Sequence, residues 1–356
     1  MGQDLTSPLV PVLFKVEGGR TFGMGRVLRS LALAQEVSLL QPAPHRFFVN
    51  ADEVSMASIE AAGFPVQIAP HDPDEFARSV AEQICSVLIF DQESEIKPFS
   101  DALRRRSNVR LLALDCFEME NDGLHLIVNL LNHSRHRRPA SDSVAYLEGL
   151  DYAIIRAEFD EYLVRERTVV DRARRVLVSF GGADPRRNTV RVLDAVTRMG
   201  LSDLCVDVTV GPNFSDRDAL EVAAAKFPGI VSLQRDPESF AALMYESDVA
   251  ITGGGTTLLE AAALGIPVLV ITQTEFEARF AELVERGGAA ISLGAGGEQD
   301  AETIRQHLLA LLDDEPLRRA MSAAGRKLVD GRGRQRLAKI ALELAARAQV
   351  GTKSPA

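Results

Sequence analysis

The sequence has no excess of positive charge: 40 Lys and Arg against 50 Asp and Glu leave a formal net charge of -10. Non-specific binding to nucleic acid or anionic lipid needs a basic field, and that class of partner is excluded. Cysteine is scarce, and Cys85, Cys116 and Cys205 stand far apart without the paired spacing of a metal site. They read as reduced thiols of a cytoplasmic protein. The N-terminal stretch lacks a basic start followed by a long apolar segment, so no signal peptide is expected. No apolar run approaches the roughly 18 residues that span a bilayer, so a cytoplasmic chain without a membrane span is expected. Repeats at the periods of solenoids, about 20–50 residues, are also missing.

What is present is an ordinary globular composition, 46% hydrophobic and 25% charged over 356 residues, enough for two cores. Strand-like and helix-like runs alternate. Val10–Val16, Arg46–Asn50, Val87–Phe90, Arg110–Leu114 and Leu126–Asn129 read as buried strands, with helical stretches Val27–Leu40, Val54–Ala62, Glu75–Ser86 and Pro98–Arg106 between them. In the first of these helices Leu28, Leu31, Ala34 and Val37 recur at the spacing of one face. The alternation fades between Asn129 and Arg175, then restarts with Val176–Phe180, Val206–Val210, Ile230–Leu233, Val249–Thr252 and Pro267–Ile271. Such an order implies right-handed βαβ units and mainly parallel sheets. Two domains are expected, 1–165 and 166–356. The end of the chain reads as helices Ala301–Leu312 and Pro316–Ala348, the latter broken at Gly331-Arg332-Gly333.

Three glycine-rich segments follow strands and open helices, where free N–H groups favour anions. In the first, Gly253, Gly254 and Gly255 let backbone approach a phosphate, Thr256 and Thr257 add hydroxyls, and Glu260 sits one turn in, placed to accept from a ribose diol. The second is Phe180-Gly181-Gly182-Ala-Asp-Pro. The third, Gly18-Gly-Arg-Thr-Phe-Gly23-Met-Gly25-Arg, has Leu28 where a dinucleotide fingerprint needs its third glycine, which argues against a Rossmann dehydrogenase. No Walker lysine follows any of the three.

Five stretches in order resemble the UDP-2,4-diacetamido-2,4,6-trideoxy-β-L-altropyranose hydrolases of pseudaminic acid synthesis and the related spore-coat polysaccharide proteins. They are Gly23-Met-Gly-Arg-Val-Leu-Arg-Ser-Leu-Ala-Leu-Ala, Leu112-Ala-Leu-Asp-Cys-Phe, Tyr152-Ala-Ile-Ile-Arg-Ala-Glu-Phe, Ser179-Phe-Gly-Gly-Ala-Asp-Pro and Gly253-Gly-Gly-Thr-Thr-Leu-Leu-Glu. The resemblance implies a GT-B fold, two Rossmann-like doubly wound α/β domains with parallel sheets facing a central cleft. The last helix would return to the N-terminal domain. Gly253–Thr257 would cradle the pyrophosphate of a UDP-sugar and Glu260 the ribose. The loop holding Gly23 and Gly25, with Gly181 and Gly182, would close on phosphate and sugar. No cofactor, metal, nucleic acid or protein partner is implied.

The chain departs from that pattern twice. Arg26 stands where the family has a histidine implicated in hydrolysis. A guanidinium stays protonated, so it can steady a departing diphosphate but cannot act as base. The base would then be Glu17, Asp115 or Glu158. Phe276 and Glu277 stand where the family has Asn-Gln, in a loop facing the sugar. His133 and His136, in the basic loop Asn132–Arg138, read as solvated, and His45, His71, His125 and His307 as ordinary loop or surface residues. The expected activity is inverting hydrolysis of a UDP-sugar. Alternatives are a GT-B glycosyltransferase and a silent nucleotide-sugar-binding homologue.

Overall fold

The computed structural model describes residues 11–19, 22–116, 123–131, 144–182, 184–211, 214–235, 237–295 and 300–350. Chain contacts divide it into unit 1, Met1–Ile154 with Arg332–Ala356, and unit 2, Ile155–Gly331. The division falls earlier than the boundary near residue 165 drawn from the sequence. Its physical reason is local: Arg156 pairs with Glu260 and Phe159 packs edge-on against Phe240, all within unit 2.

Unit 1 runs β1 (Val12–Val16), α1 (Gly25–Leu40), β2 (Arg46–Val49), α2 (Glu53–Ala61), β3 (Val66–Ile68), α3 (Pro73–Ala81), β4 (Val87–Asp91), α4 (Lys97–Arg106), β5 (Arg110–Leu114), β6 (Leu126–Asn129) and β7 (Ala145–Glu148). The seven strands form one parallel sheet in the order β3-β2-β1-β4-β5-β6-β7. Successive residues of a strand point to opposite faces, so both faces of this sheet need apolar cover. Val12, Phe14 and Val16 join a cluster with α1, while Leu13 joins Phe48, Phe76 and Leu88 on the other face. Phe14 stacks on Phe47 at 4.8 Å between ring centroids.

Unit 2 begins with α5 (Asp160–Leu163) and continues β8 (Arg175–Ser179), α6 (Asn188–Thr197), β9 (Cys205–Thr209), α7 (Arg217–Ala225), β10 (Ile230–Gln234), α8 (Phe240–Tyr245), β11 (Val249–Thr252), α9 (Thr256–Leu264), β12 (Val268–Thr272), α10 (Glu275–Arg286), β13 (Ala290–Ala295), α11 (Ala301–Asp313) and α12 (Glu315–Leu328). Its six strands are parallel in the order β10-β9-β8-β11-β12-β13. Gly331 at φ +74 ends the segment that the sequence marked as a break. The last helix, α13 (Gly333–Val350), packs in unit 1 along α1, burying Leu337, Ala338, Ala341 and Ala345, and Arg334 pairs with Glu36 at 2.9 Å.

The strands that the sequence reading missed are β3, β7 and β13. All three are partly exposed along their length, so none shows the continuous apolar run of a strand buried on both faces. Among the described residues, no helix is long and apolar enough to cross a membrane.

Candidate functional site

Each sheet reverses its strand order once, and parallel sheets collect ligands beyond the carboxyl ends of their strands at such a reversal. In unit 2 it falls between β8 and β11. The chain leaves β8 through Phe180-Gly181-Gly182 and leaves β11 through Gly253-Gly254-Gly255. The two loops that looked most like phosphate cradles therefore flank the same point. Gly181 needs its missing side chain for backbone reasons, with φ at +75 and open space around it. Gly211, after β9, is fixed by close packing against this loop, because a side chain there would run into the Gly182 backbone.

The first turn of α9 has Gly255 as its cap residue, and no side chain caps it. Its leading amides, followed by Thr256 and Thr257, are uncapped donors of the kind that favour an anion. Gly253 and Gly254 answer to a different demand. A β-carbon on Gly253 would lie 3.0 Å from Glu277 Oε2, and one on Gly254 would collide with the Glu277 carbonyl oxygen. Only Gly255 has room, its nearest neighbour being Glu277 Oε1 at 4.0 Å.

Glu277 lies in the first turn of α10, which Thr274 caps. Its carboxylate turns inward and accepts the Gln273 N–H at 2.6 Å. Burial raises its pKa, the amides of Gln273, Gly254 and Thr274 oppose the rise, and the charge of Asp184 adds to it. Asp184, at φ +46, caps α6 by accepting from the amides of Asn188 and Thr189 at 2.9 and 2.7 Å, and burial raises its pKa as well. Gln273 donates its side-chain N–H to the Phe180 carbonyl at 3.0 Å, and Arg186 donates to the Gln273 carbonyl at 2.8 Å. Three loops, after β8, β11 and β12, are thereby tied into one rim.

Glu260 sits one turn into α9 and is 1% exposed. Both of its oxygens already accept from Arg156, at 2.6 and 2.9 Å. Burial works against the Arg156 charge, but Glu260 and then Glu158 outweigh it and hold the guanidinium above its usual pKa. Arg156 also lies over the rings of Phe159 and Phe240, about 5 Å from each centroid. The sequence reading gave Glu260 to a ribose and overlooked this clamp. The motif Arg156-Ala-Glu158-Phe159 was visible, but nothing in spacing alone joins it to a residue a hundred positions away.

In unit 1 the reversal falls between β1 and β4. Here the loop ends are filled with charge. Glu17 Oε2 accepts the amides of Glu93 and Ser94 at 2.7 and 3.0 Å. Arg26, in the first turn of α1, meets Glu93 at 3.1 Å. Gly23 holds φ +74 in open space, its backbone bridged to Gly19, and Gly25 opens α1. Asp115, at φ +50, pairs with Arg29 at 2.6 Å and accepts the Leu130 amide at 3.0 Å. Arg29 also holds Asp91 through two hydrogen bonds of 2.8 and 2.5 Å, and Ser30 donates to Asp91 at 2.8 Å. Burial opposes the Arg29 charge, yet Asp91 and Asp115 raise its pKa above the usual arginine value.

Other expectations change with the coordinates. His45 is a buried structural residue and no surface histidine: its ring accepts the Val12 amide at 3.0 Å, which joins β1 to the start of β2. His125 accepts the Leu111 amide at 3.1 Å, and burial together with Arg110 and Arg104 lowers it to about 4. His133 and His136 lie outside the described residues. Glu158 is engaged through both oxygens, by Arg156 and by the Ala241 amide. Among the described residues, no group of three or more His, Cys, Asp and Glu side chains could hold a metal ion. The chain does contain two Asp-x-Asp pairs. In these, Asp72 caps α3, Asp74 pairs with Arg105 and Arg106, and Asp216 pairs with Arg187.

With this geometry in hand, likeness to known proteins can be weighed. No family model matches the chain. Its sequence is 27% identical over 337 residues to the spore coat polysaccharide biosynthesis protein SpsG of Bacillus subtilis, covering 92% of this chain and 96% of that one. Its fold is similar to that of MurG from Acinetobacter baumannii, with a TM-score of 0.68 at 13% identity over 94% of this chain and 99% of MurG. It is also similar to the spinosyn forosaminyltransferase SpnP, with a TM-score of 0.64 at 15% identity over 95% of this chain and 99% of SpnP. The two parallel-sheet α/β units have the GT-B fold. At those identities the structural matches speak for the fold alone.

Proposed function

We propose that this chain processes a UDP-activated sugar of surface-glycan synthesis, with the nucleotide diphosphate held at the carboxyl edge of the unit 2 sheet. The observation that carries the reading is the pairing of two glycine loops at the β8/β11 reversal beside the uncapped start of α9. Likeness along nearly the whole chain to a polysaccharide biosynthesis protein supports the same class of substrate.

The reaction we assign first is hydrolysis with inversion. Water attacks the anomeric carbon, the bond from that carbon to the diphosphate oxygen breaks, UDP leaves, and the water gives its proton to a carboxylate. Among Glu17, Asp115 and Glu158, only Glu17 keeps an oxygen, Oε1, with no partner among the described residues. Glu17 is therefore the carboxylate of unit 1 that we assign as candidate base, and Arg26 is the cation of unit 1 whose chemistry suits a leaving diphosphate.

A second reading replaces water with the hydroxyl of an acceptor, a reaction that the GT-B fold also serves in a forosaminyltransferase. NMR of the chain with UDP-activated 2,4-diacetamido-2,4,6-trideoxyhexoses separates the two. UDP and free sugar appearing without acceptor establish hydrolysis; UDP appearing only with an acceptor establishes transfer. Binding of UDP without any turnover supports neither, and leaves a nucleotide-sugar-binding role.

A further inference from the structure

The amides that suit a diphosphate in unit 2 already have an anion beside them, and that anion belongs to the protein. The Glu277 carboxylate lies under the glycine loop. Oε2 accepts the Gln273 amide at 2.6 Å, and the two oxygens stand 3.0 and 3.2 Å from where a Gly253 side chain would begin. Oε1 is also the nearest atom to the open space at Gly255, where α9 begins. A phosphate seated on the amides that open α9 comes within a few ångströms of this half-buried carboxylate.

At so short a separation two like charges repel strongly unless one takes up a proton. Among the described residues, no lysine or arginine forms an ion pair with Glu277. From α10 itself Glu275 faces outward and pairs with Arg279 at 2.8 Å. From the loop after β8 comes a second carboxylate, the buried Asp184, whose charge acts against that of Glu277. Arg186 donates to the Gln273 carbonyl, and Arg191 acts on Asp184. Among the described residues, the Glu277 carboxylate is held by the Gln273 amide and not by a cation, and it lies beside the uncapped amides that open α9.

We propose that seating a diphosphate on the Gly253–Thr257 loop is coupled to uptake of a proton by the Glu277 carboxyl group. The inference rests on the nucleotide reading above and deepens it. In the empty protein the carboxylate holds the loop in shape. With ligand bound, the protonated carboxyl keeps the Gln273 contact while the negative charge passes to the phosphate. Affinity then falls as pH rises, by up to about tenfold per unit between the pKa of the empty protein and the higher pKa of the bound state, and levels off above it. Burial already raises that group in the empty protein, so the loss begins above the ordinary glutamate range.

The test is calorimetry of UDP binding in buffers of different ionisation enthalpy, from about pH 5 to about pH 8, on the wild type, Glu277→Gln and Asp184→Asn. UDP titrates in this range itself, so the readout is the difference between proteins. The expected result is that the wild type takes up close to one proton more than Glu277→Gln does. The variant's affinity then varies less with pH, and Asp184→Asn keeps most of the wild-type coupling. Equal proton numbers in wild type and Glu277→Gln overturn the inference and leave the nucleotide reading intact. Absence of UDP binding in every protein overturns both. A readout on the wild type alone covers the case of a variant that does not fold. The carboxyl ¹³C resonance of Glu277 should move to its protonated position on adding UDP, and a resonance that stays ionised overturns the proposal.

Discussion

The two sheets share a plan and finish it differently. At the reversal in unit 1, between β1 and β4, ion pairs and hydrogen bonds close the strand ends: Arg29 holds Asp91 and Asp115, and Glu17 holds the amides of Glu93 and Ser94. At the reversal in unit 2, between β8 and β11, Gly181 and Gly255 have open space, Gly253 and Gly254 pack against Glu277, and the first turn of α9 has no side-chain cap. The same topology gives a point crowded with paired charges in one unit and an uncapped helix start beside a single carboxylate in the other. A reversal marks where a ligand can sit, and the side chains around it decide whether the place is already taken.

The largest effect that would break this comparison is in unit 1. Arg29→Met strands Asp91 and Asp115 in the interior, and losing one partner of a buried pair costs about 3–5 kcal/mol. Denaturant unfolding should show a loss of that size. A loss below about 1 kcal/mol would mean that the cluster does not lock the sheet end.

Glu260→Ala tests the next claim, at about 2 kcal/mol in stability, because Arg156 keeps Glu158 and remains partly exposed. If Glu260 also serves a ribose, UDP affinity falls by a further 1–3 kcal/mol, about the worth of hydrogen bonds to a charged group. Unchanged affinity by calorimetry makes Glu260 only the partner of Arg156.

Gly255→Ser sharpens the contrast between the units, since it supplies a side-chain cap without adding charge beside Glu277. A serine is a strong helix cap, so unit 2 should gain roughly a few tenths of a kcal/mol while UDP affinity drops about tenfold. A stabilised variant that binds UDP normally would place the diphosphate elsewhere.

The smallest expected effect concerns Lys15, buried in unit 1 against the Phe99 ring and donating to Gln92 at 2.6 Å. Burial lowers it to about 8 from an ordinary value near 10.5. The unfolded chain keeps the higher value, binds more protons between the two, and so unit 1 gains stability as pH rises from about 8 to about 10.5. Below about 8 the full penalty of the buried charge is present. Lys15→Met should therefore raise the unfolding free energy more at neutral pH than near pH 10, by about 1 kcal/mol after the lost contacts are set against it, as denaturant unfolding at the two pH values would show.

Much of the framework was legible in the residues. Runs such as Val87–Phe90 and Val249–Thr252 are buried on both faces, and such strands announce themselves as unbroken apolar segments. Edge strands such as Ala145–Glu148 do not, because half their surface stays polar. The glycine loops were visible as sequence, and their meeting at one reversal follows from strand order, which no local pattern contains. The reason for Gly253 and Gly254 was misread: they make room for the first turn of α10 as much as for any ligand. Arg29, Asp91 and Arg156 were missed for one shared reason. Each is a charged residue within or beside an apolar stretch, and only folding brings it to a partner dozens of positions away.

The most direct test of the account is an amide NMR titration of the wild type with UDP. Shifts concentrated at Gly181–Gly182 and Gly253–Thr257, with those of the β1 loop at Gly18–Gly25 smaller, are the predicted result. Shifts confined to the unit 1 loop, or none anywhere at millimolar UDP, would contradict the placement of the nucleotide in unit 2.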